Sequence, residues 1–131
     1  MKTINVVAAI LTSNNKFMVA KRGYGEFKGL YEFPGGKVEV GESNEAAIVR
    51  EIKEELDANI VVDSFFYHVH YDYDSFTLEM DCYLCHLDHS HITLLEHEDV
   101  KWVTVDEVLD YVPADIQVVK ELEKRKDQWQ Q

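Results

Sequence analysis

Apolar and polar positions along this chain sort into short β-branched runs and one strongly amphipathic stretch. Ile4 to Thr12 is apolar and β-branched and predicts a strand. Ser13-Asn14-Asn15-Lys16 carries turn residues, and Phe17 to Lys21 returns as a second strand to make a hairpin. Gly23 to Leu30 holds three glycines and predicts a loop; Tyr31-Glu32-Phe33 then leads into a sharp turn at Pro34-Gly35-Gly36. Ser43 to Leu56 predicts a helix capped by Ser43, with Ile48, Val49, Ile52 and Leu56 on one apolar arc. Ile60 to Val69, Phe76 to Leu87 and Val100 to Val103 predict further strands, with Tyr67, Tyr71 and Tyr73 alternating along their faces. Val105 to Tyr111 and Asp115 to Lys126 predict two helices separated by Pro113, with Ala114-Asp115 as a cap. The order is mixed, so the expected fold class is α+β, an α/β/α sandwich around a mixed sheet.

The helix carries a second pattern. At about 100° per residue, Glu51, Glu54 and Glu55 share an arc of roughly 100° beside the apolar face. Like charges at that spacing cost a helix a few tenths of a kcal/mol per pair. Two readings stand for these residues alone: a solvated acidic face, or a set of hard oxygen ligands of the kind Mg²⁺ or Mn²⁺ requires.

Composition narrows the choice. The chain has 131 residues, the size of one domain, with 46% hydrophobic and 29% charged residues, which excludes disorder. No apolar run approaches the roughly 20 residues of a membrane span. The Ile4–Leu11 stretch lacks the long core and small-residue cleavage site of a signal peptide, so a cytoplasmic location is expected. Thirteen Lys and Arg stand against 25 Asp and Glu, a formal charge of -12. Such a surface does not bind a nucleic-acid polymer, and a polyanionic ligand needs a local basic spot or metal cations. Cys82 and Cys85 lie in a strand, where residues three apart point to opposite faces, so buried reduced thiols are expected rather than a redox or zinc pair. The six histidines show no joint metal spacing, and most are expected at the surface.

Gly36, five residues, Glu42, seven residues, then Arg50-Glu51-Ile52-x-Glu54-Glu55 resembles the Nudix box, G-x5-E-x7-R-E-U-x-E-E-x-G-U with U aliphatic. Asp57 stands where the box has Gly and Ala58 where it has an aliphatic residue; Asp can take the left-handed conformation at modest cost. Tyr31-Glu32-Phe33-Pro34-Gly35-Gly36-Lys37 resembles the MutT-type subgroup, and Pro113-Ala114-Asp115-Ile116 resembles its CTP pyrophosphohydrolase branch.

The resemblance implies a single Nudix domain over residues 1–131, with the box as loop-helix-loop. It implies hydrolysis of a nucleoside triphosphate to monophosphate and pyrophosphate, with 8-oxo-dGTP or (modified) CTP as substrate, by a monomer or homodimer. By the same similarity, a carbonyl of Gly35 or Gly36 with Glu51, Glu54 and Glu55 holds Mg²⁺, or Mn²⁺. Glu54 or Glu55 helps deprotonate the attacking water, while Arg50 orients a carboxylate and Glu42 supports the loop. Glu96 is the expected loop carboxylate, six residues before Trp102, with Glu98 and a plain solvated loop as competing readings. Lys21 and Arg22 are candidates for phosphate contact or a solvated strand end. Phe33 is a candidate for a base pocket or plain core, and Asp115 for a base reader or a helix cap. Cleavage of ADP-ribose or a dinucleoside polyphosphate on the same scaffold stays open, as does a non-catalytic binding module, because the box carries the metals and not the rest of the substrate.

Overall fold

In the computed structural model, which describes residues 1–130, the backbone forms β1 (Lys2–Ser13), β2 (Lys16–Lys21), β3 (Tyr31–Glu32), β4 (Gly35–Lys37), α1 (Asn44–Leu56), β5 (Ile60–Asp72), β6 (Phe76–Leu87), β7 (Asp99–Val103), α2 (Pro113–Lys124) and α3 (Lys126–Trp129). The strands make one mixed sheet in the order β3-β2-β1-β6-β5, with β4 on β1 and β7 on β2. β1 runs parallel to β6 and antiparallel to β2 and β4.

β1 sits at the centre because it is apolar on both faces: Val7 to Leu11 are all buried. Ala8 and Ile10 pack with Phe17, Val19, Val118 and Leu122 on the α2 face, whereas Val7, Ala9 and Leu11 pack with Ile48, Ile52 and Leu56 on the α1 face. Strand parity therefore divides the interior into two cores. Cys82 belongs to the first and Cys85 to the second; both are buried free thiols, and burial pushes the Cys85 thiol up to about 12.

One edge of β1 changes partner along its length. Its C-terminal end pairs with β2, and Val6 to Ala8 pair with β4. Gly35 begins β4 and does not form the expected turn. A Cβ there would lie 1.9 Å from the Val7 carbonyl oxygen, so only glycine allows this approach. The chain turns later, where the Glu42 N–H donates to the Glu39 carbonyl and Gly41 takes a φ of +82°.

Ser43 caps α1, its hydroxyl accepting from the Ala46 N–H at 3.1 Å. Asp57 ends the helix in the left-handed conformation (φ 48°, ψ 40°), as its position in the box required. Two further expectations fail. Val105 to Tyr111 is not helical: the Tyr31 N–H donates to Asp110, the Val112 N–H donates to Tyr31, and Tyr31 bridges Tyr111, so these backbone groups are claimed by β3. Asp115 does not cap α2 either. The helix starts at Pro113, after Val112, and Asp115 lies inside the first turn.

Asp57→Gly removes a left-handed side chain at the cost of an exposed Lys53–Asp57 pair at 3.1 Å. Thermal unfolding is expected to show a gain of about 0.5 kcal/mol; a loss would mean the ion pair outweighs the backbone strain.

Candidate active site

α1 presents its acidic arc to β4. A Cβ on Gly36 would lie 2.4 Å from the Glu51 carboxyl carbon, so the missing side chain of Gly36 is the space that Glu51 occupies. Arg50 ties the arc to the preceding loop. Its Nε and Nη2 grip both Glu42 oxygens at 2.7 and 2.9 Å, Nη1 reaches Glu51 at 3.0 Å and Glu54 at 3.3 Å, and Nη2 donates to the Lys37 carbonyl at 3.0 Å. The guanidinium fork suits such a bidentate grip. Hydrogen bonding from Arg50, then from the Glu39 N–H, pulls the Glu42 carboxyl down to about 2.

Glu55 differs from its neighbours. It is 6% exposed, and its Oε2 is buried without a hydrogen-bond partner. Burial, then the charges of Glu51, Glu96 and Glu32, push its carboxyl up to about 9. Glu96 reaches this neighbourhood because the last carbonyls of α1 capture the loop: the Thr93 N–H donates to Leu56 and the Leu95 N–H to Glu55. Glu98 is engaged elsewhere, its carboxylate 3.8 Å from Lys21 Nζ and its N–H on the Lys21 carbonyl.

An orphaned buried carboxylate oxygen, three further carboxylates around it and a glycine cradle beside Glu51 form a hard, oxygen-rich donor set that fits a divalent cation. No three side chains among the described residues already close into a metal cage. Arg50 meanwhile occupies oxygens of Glu51 and Glu54.

Next to this cluster lies a cavity of about 210 Å³. Gly35, Gly36, Arg22, Glu32, Phe33 and Asp115 line it, with Val6, Ala8, Leu78 and Met80 from the sheet and Phe27, Tyr73 and Phe76 as aromatic wall. Phe33 serves both readings made for it: 4% exposed and 5.8 Å from the Phe17 ring, it is core and cavity wall together. Arg22 faces the cavity, bonds Glu32 at 3.1 Å and keeps a buried Nε without a partner. Lys21 does not line the cavity. Asp115 is 5% exposed and accepts the Phe33 N–H at 2.8 Å. Burial pushes its carboxyl up to about 8, against the opposing pull of the Phe33 N–H.

Sequence reasoning missed three parts of this site. His97 is not a surface residue: its side chain is 5% exposed, with Nε2 3.0 Å from Glu32 and 3.8 Å from Glu55. Glu32 joins His97 to Arg22. Tyr73 and Phe76 stack at 5.0 Å, and the Tyr73 hydroxyl accepts the Ala114 N–H at 3.2 Å. The adjacency of His97 to Glu96 and of Glu32 to Phe33-Pro34 was the available signal.

The family model described as NUDIX domain matches residues 1–122. The chain belongs to the Nudix family. It is 35% identical over 125 residues to a CTP pyrophosphohydrolase of Escherichia coli (strain K12), covering 92% of this chain and 91% of that protein. It is 34% identical over 114 residues to a putative 8-oxo-dGTP diphosphatase 2 of Mycobacterium tuberculosis, covering 84% and 81%. The solution structure of the E. coli ORF135 protein superposes with a TM-score of 0.82 at 30% identity, over 96% of this chain and 92% of that one. The chain is accordingly a Nudix hydrolase, and Nudix hydrolases generally work with a divalent metal.

Asp115 yields a pH signature. The folded state keeps its proton up to about pH 8, whereas the unfolded chain releases it near 3.8, so stability falls as pH rises between those values. Asp115→Asn keeps an acceptor for Phe33 but cannot ionise. Denaturant unfolding without divalent cation is expected to favour the variant increasingly from pH 4 to pH 8, by more than about 1 kcal/mol at the upper end. A difference that stays flat with pH would mean Asp115 is ionised throughout.

Proposed function

We propose that this Nudix hydrolase is a MutT-like nucleoside triphosphate pyrophosphohydrolase, a single domain over residues 1–131 that converts NTP and water to NMP and pyrophosphate with Mg²⁺, or Mn²⁺. The observation that carries this reading is one cavity lined both by Gly35-Gly36, beside the α1 carboxylates, and by the buried Asp115. A triphosphate can lie against the acidic end while its base reaches the enclosed apolar part.

Glu51, Glu54, Glu55, Glu96 and a carbonyl of Gly35 or Gly36 would hold the cation. A cation held there would offset the triphosphate charge, which a chain of formal charge -12 would otherwise repel, and would lower the pKa of water. Glu55 or Glu54 would take the proton from the attacking water, and a cation held among these carboxylates would favour the ionised form of Glu55. Arg50 fixes the carboxylates in place. Arg22, which lines the cavity, would meet a phosphate oxygen, while Lys21 pairs with Glu98. Phe33 and the aromatic wall enclose the base. Asp115 meets its edge, as acceptor for an amine such as cytosine N4 or, protonated, as donor to a carbonyl.

The full-length similarity to a CTP pyrophosphohydrolase and the acidic reader together favour CTP-type substrates over 8-oxo-dGTP. We also place the enzyme in the cytoplasm, as monomer or homodimer; no helix among the described residues is long and apolar enough to cross a membrane.

The test is a Mg²⁺ assay over CTP, dCTP, 5-methyl-dCTP, 8-oxo-dGTP, dGTP and ADP-ribose, resolving monophosphate and pyrophosphate. Turnover of the cytosine nucleotides is expected to lead, and Glu54→Gln to lower kcat by about 10²-fold or more. Cleavage of ADP-ribose alone would overturn the substrate class, and near wild-type turnover by Glu54→Gln would overturn its role.

A further inference from the structure

A second cluster of ligating side chains lies on the α1 face of the sheet, outside the cavity. His68, His70 and Asp72 alternate on β5, Glu79 and Asp81 on β6, and antiparallel pairing sets His68 opposite Asp81 and His70 opposite Glu79. In this part of β5, Tyr67, Val69 and Tyr71 turn inward to the α2-side core, which leaves the even-numbered side chains to the other face.

The contacts converge on Glu79. One of its oxygens meets His68 Nε2 and the other meets His70 Nδ1. The remaining nitrogen of each ring has its own carboxylate: His68 Nδ1 lies 2.6 Å from Asp81, and His70 Nε2 lies 3.3 Å from Asp72. Those carboxylates are held in turn. Asn44, the first residue of α1, donates to Asp81 at 3.1 Å, and the Thr77 hydroxyl donates to Asp72 at 2.8 Å.

We propose that His68, His70 and Glu79 bind a transition-metal ion such as Zn²⁺. Two imidazoles and one carboxylate are the donors such an ion selects, whereas Mg²⁺ prefers oxygen alone. A carboxylate on the far nitrogen of each ligating ring is the support that fixes ring orientation in metal sites. Three carboxylates against two imidazoles leave the cluster negative whether or not the rings are protonated. As isolated surface ion pairs, these contacts would add little to stability. No group of three such donors among the described residues is already closed around an ion, and these donors hydrogen-bond to one another instead. The ion enters by displacing the protons the rings share with Glu79, and the exposed side leaves room for water as a further ligand.

Apart from the Asn44 contact, the cluster lies away from the glycines and carboxylates of the Nudix box. Gly36 pairs with Val7, Val7 with Asp81, and Asp81 with His68, so three strand spacings, roughly 14 Å, lie between Gly36 and His68. The proposal therefore stands whatever nucleotide the enzyme hydrolyses. Gln117 of α2 donates to the His70 carbonyl at 3.2 Å, so an ion here would also brace the contact between β5 and α2, at the base of the hairpin that carries Tyr73 and Phe76.

The experiment is calorimetric titration of untagged full-length protein with Zn²⁺ at about pH 8, where protons compete less for the rings, with Mg²⁺ in large excess to occupy the α1 carboxylates. One equivalent of Zn²⁺ is expected to bind, and free Zn²⁺ at 100 times Kd to raise Tm by roughly 5–10 °C. His68→Gln/His70→Gln is expected to lose both effects while keeping the metal-free Tm. Should that variant fold poorly, imidazole ¹⁵N shifts in the wild-type protein decide: on Zn²⁺ addition, Nε2 of His68 and Nδ1 of His70 should move. Absence of stoichiometric binding, retention of it by the folded double variant, or unmoved ring nitrogens would each overturn the proposal.

Discussion

The approach of β4 to β1 is the constraint on which the rest of the site depends. Gly35 lies so close to the Val7 carbonyl that no side chain fits, and Gly36 gives its side-chain volume to the Glu51 carboxyl. A larger residue at either position would push β4 from the sheet or α1 from β4. Either movement would separate the carboxylates from the cavity that Gly35 and Gly36 also line. The two glycines thus keep the donor set and the enclosed pocket next to each other, and Arg50 locks the arrangement through Glu42 and the Lys37 carbonyl.

The energetics of the site run against folding. Among the described residues, Glu55 and Asp115 are the two buried charged residues, and both are pushed toward the protonated form by desolvation. Burial of a lone carboxylate disfavours its charged state strongly. The surroundings differ in a way that separates the two roles. Glu55 faces other carboxylates, so a cation held there, as proposed, would favour its charged form. Asp115 faces the Phe33 N–H and an apolar cavity, so it can remain a neutral group with a donor and an acceptor to offer. Perturbed carboxyls in adjoining environments are a mark of a functional site.

Much of this was legible in the chain because single elements carry it. The α1 cap, apolar arc and acidic arc all lie on one helix, where spacing in sequence becomes direction in space. The opposite burial of Cys82 and Cys85 followed from strand parity alone. What escaped was set by contacts between distant segments. Val105 to Tyr111 has helix-compatible apolar spacing, but β3 takes its backbone hydrogen bonds, and no local pattern reports that. The His97 side chain is enclosed because the end of α1 captures the loop before it, so its environment depends on carbonyls some 40 residues earlier in the chain. Asp115 looked like a helix cap because its residue type suits one; its true partner, Phe33, is 82 residues away in sequence.

The network of Arg22, Glu32, His97 and Glu55 links the two halves of the site by charge. Glu32 accepts from Arg22 on the cavity side and meets His97 on the cluster side, while His97 also approaches Glu55. Glu32 therefore holds Arg22 in the cavity wall and contributes to the field that raises Glu55. A phosphate drawing Arg22 toward itself would weaken the Arg22–Glu32 bond and leave more of the Glu32 charge to His97. That shift would pull His97 and its neighbour Glu96 together, because they share one stretch of backbone. Substrate contact at Arg22, as proposed above, would thus be connected through two hydrogen bonds and one peptide unit to Glu96, the proposed loop ligand.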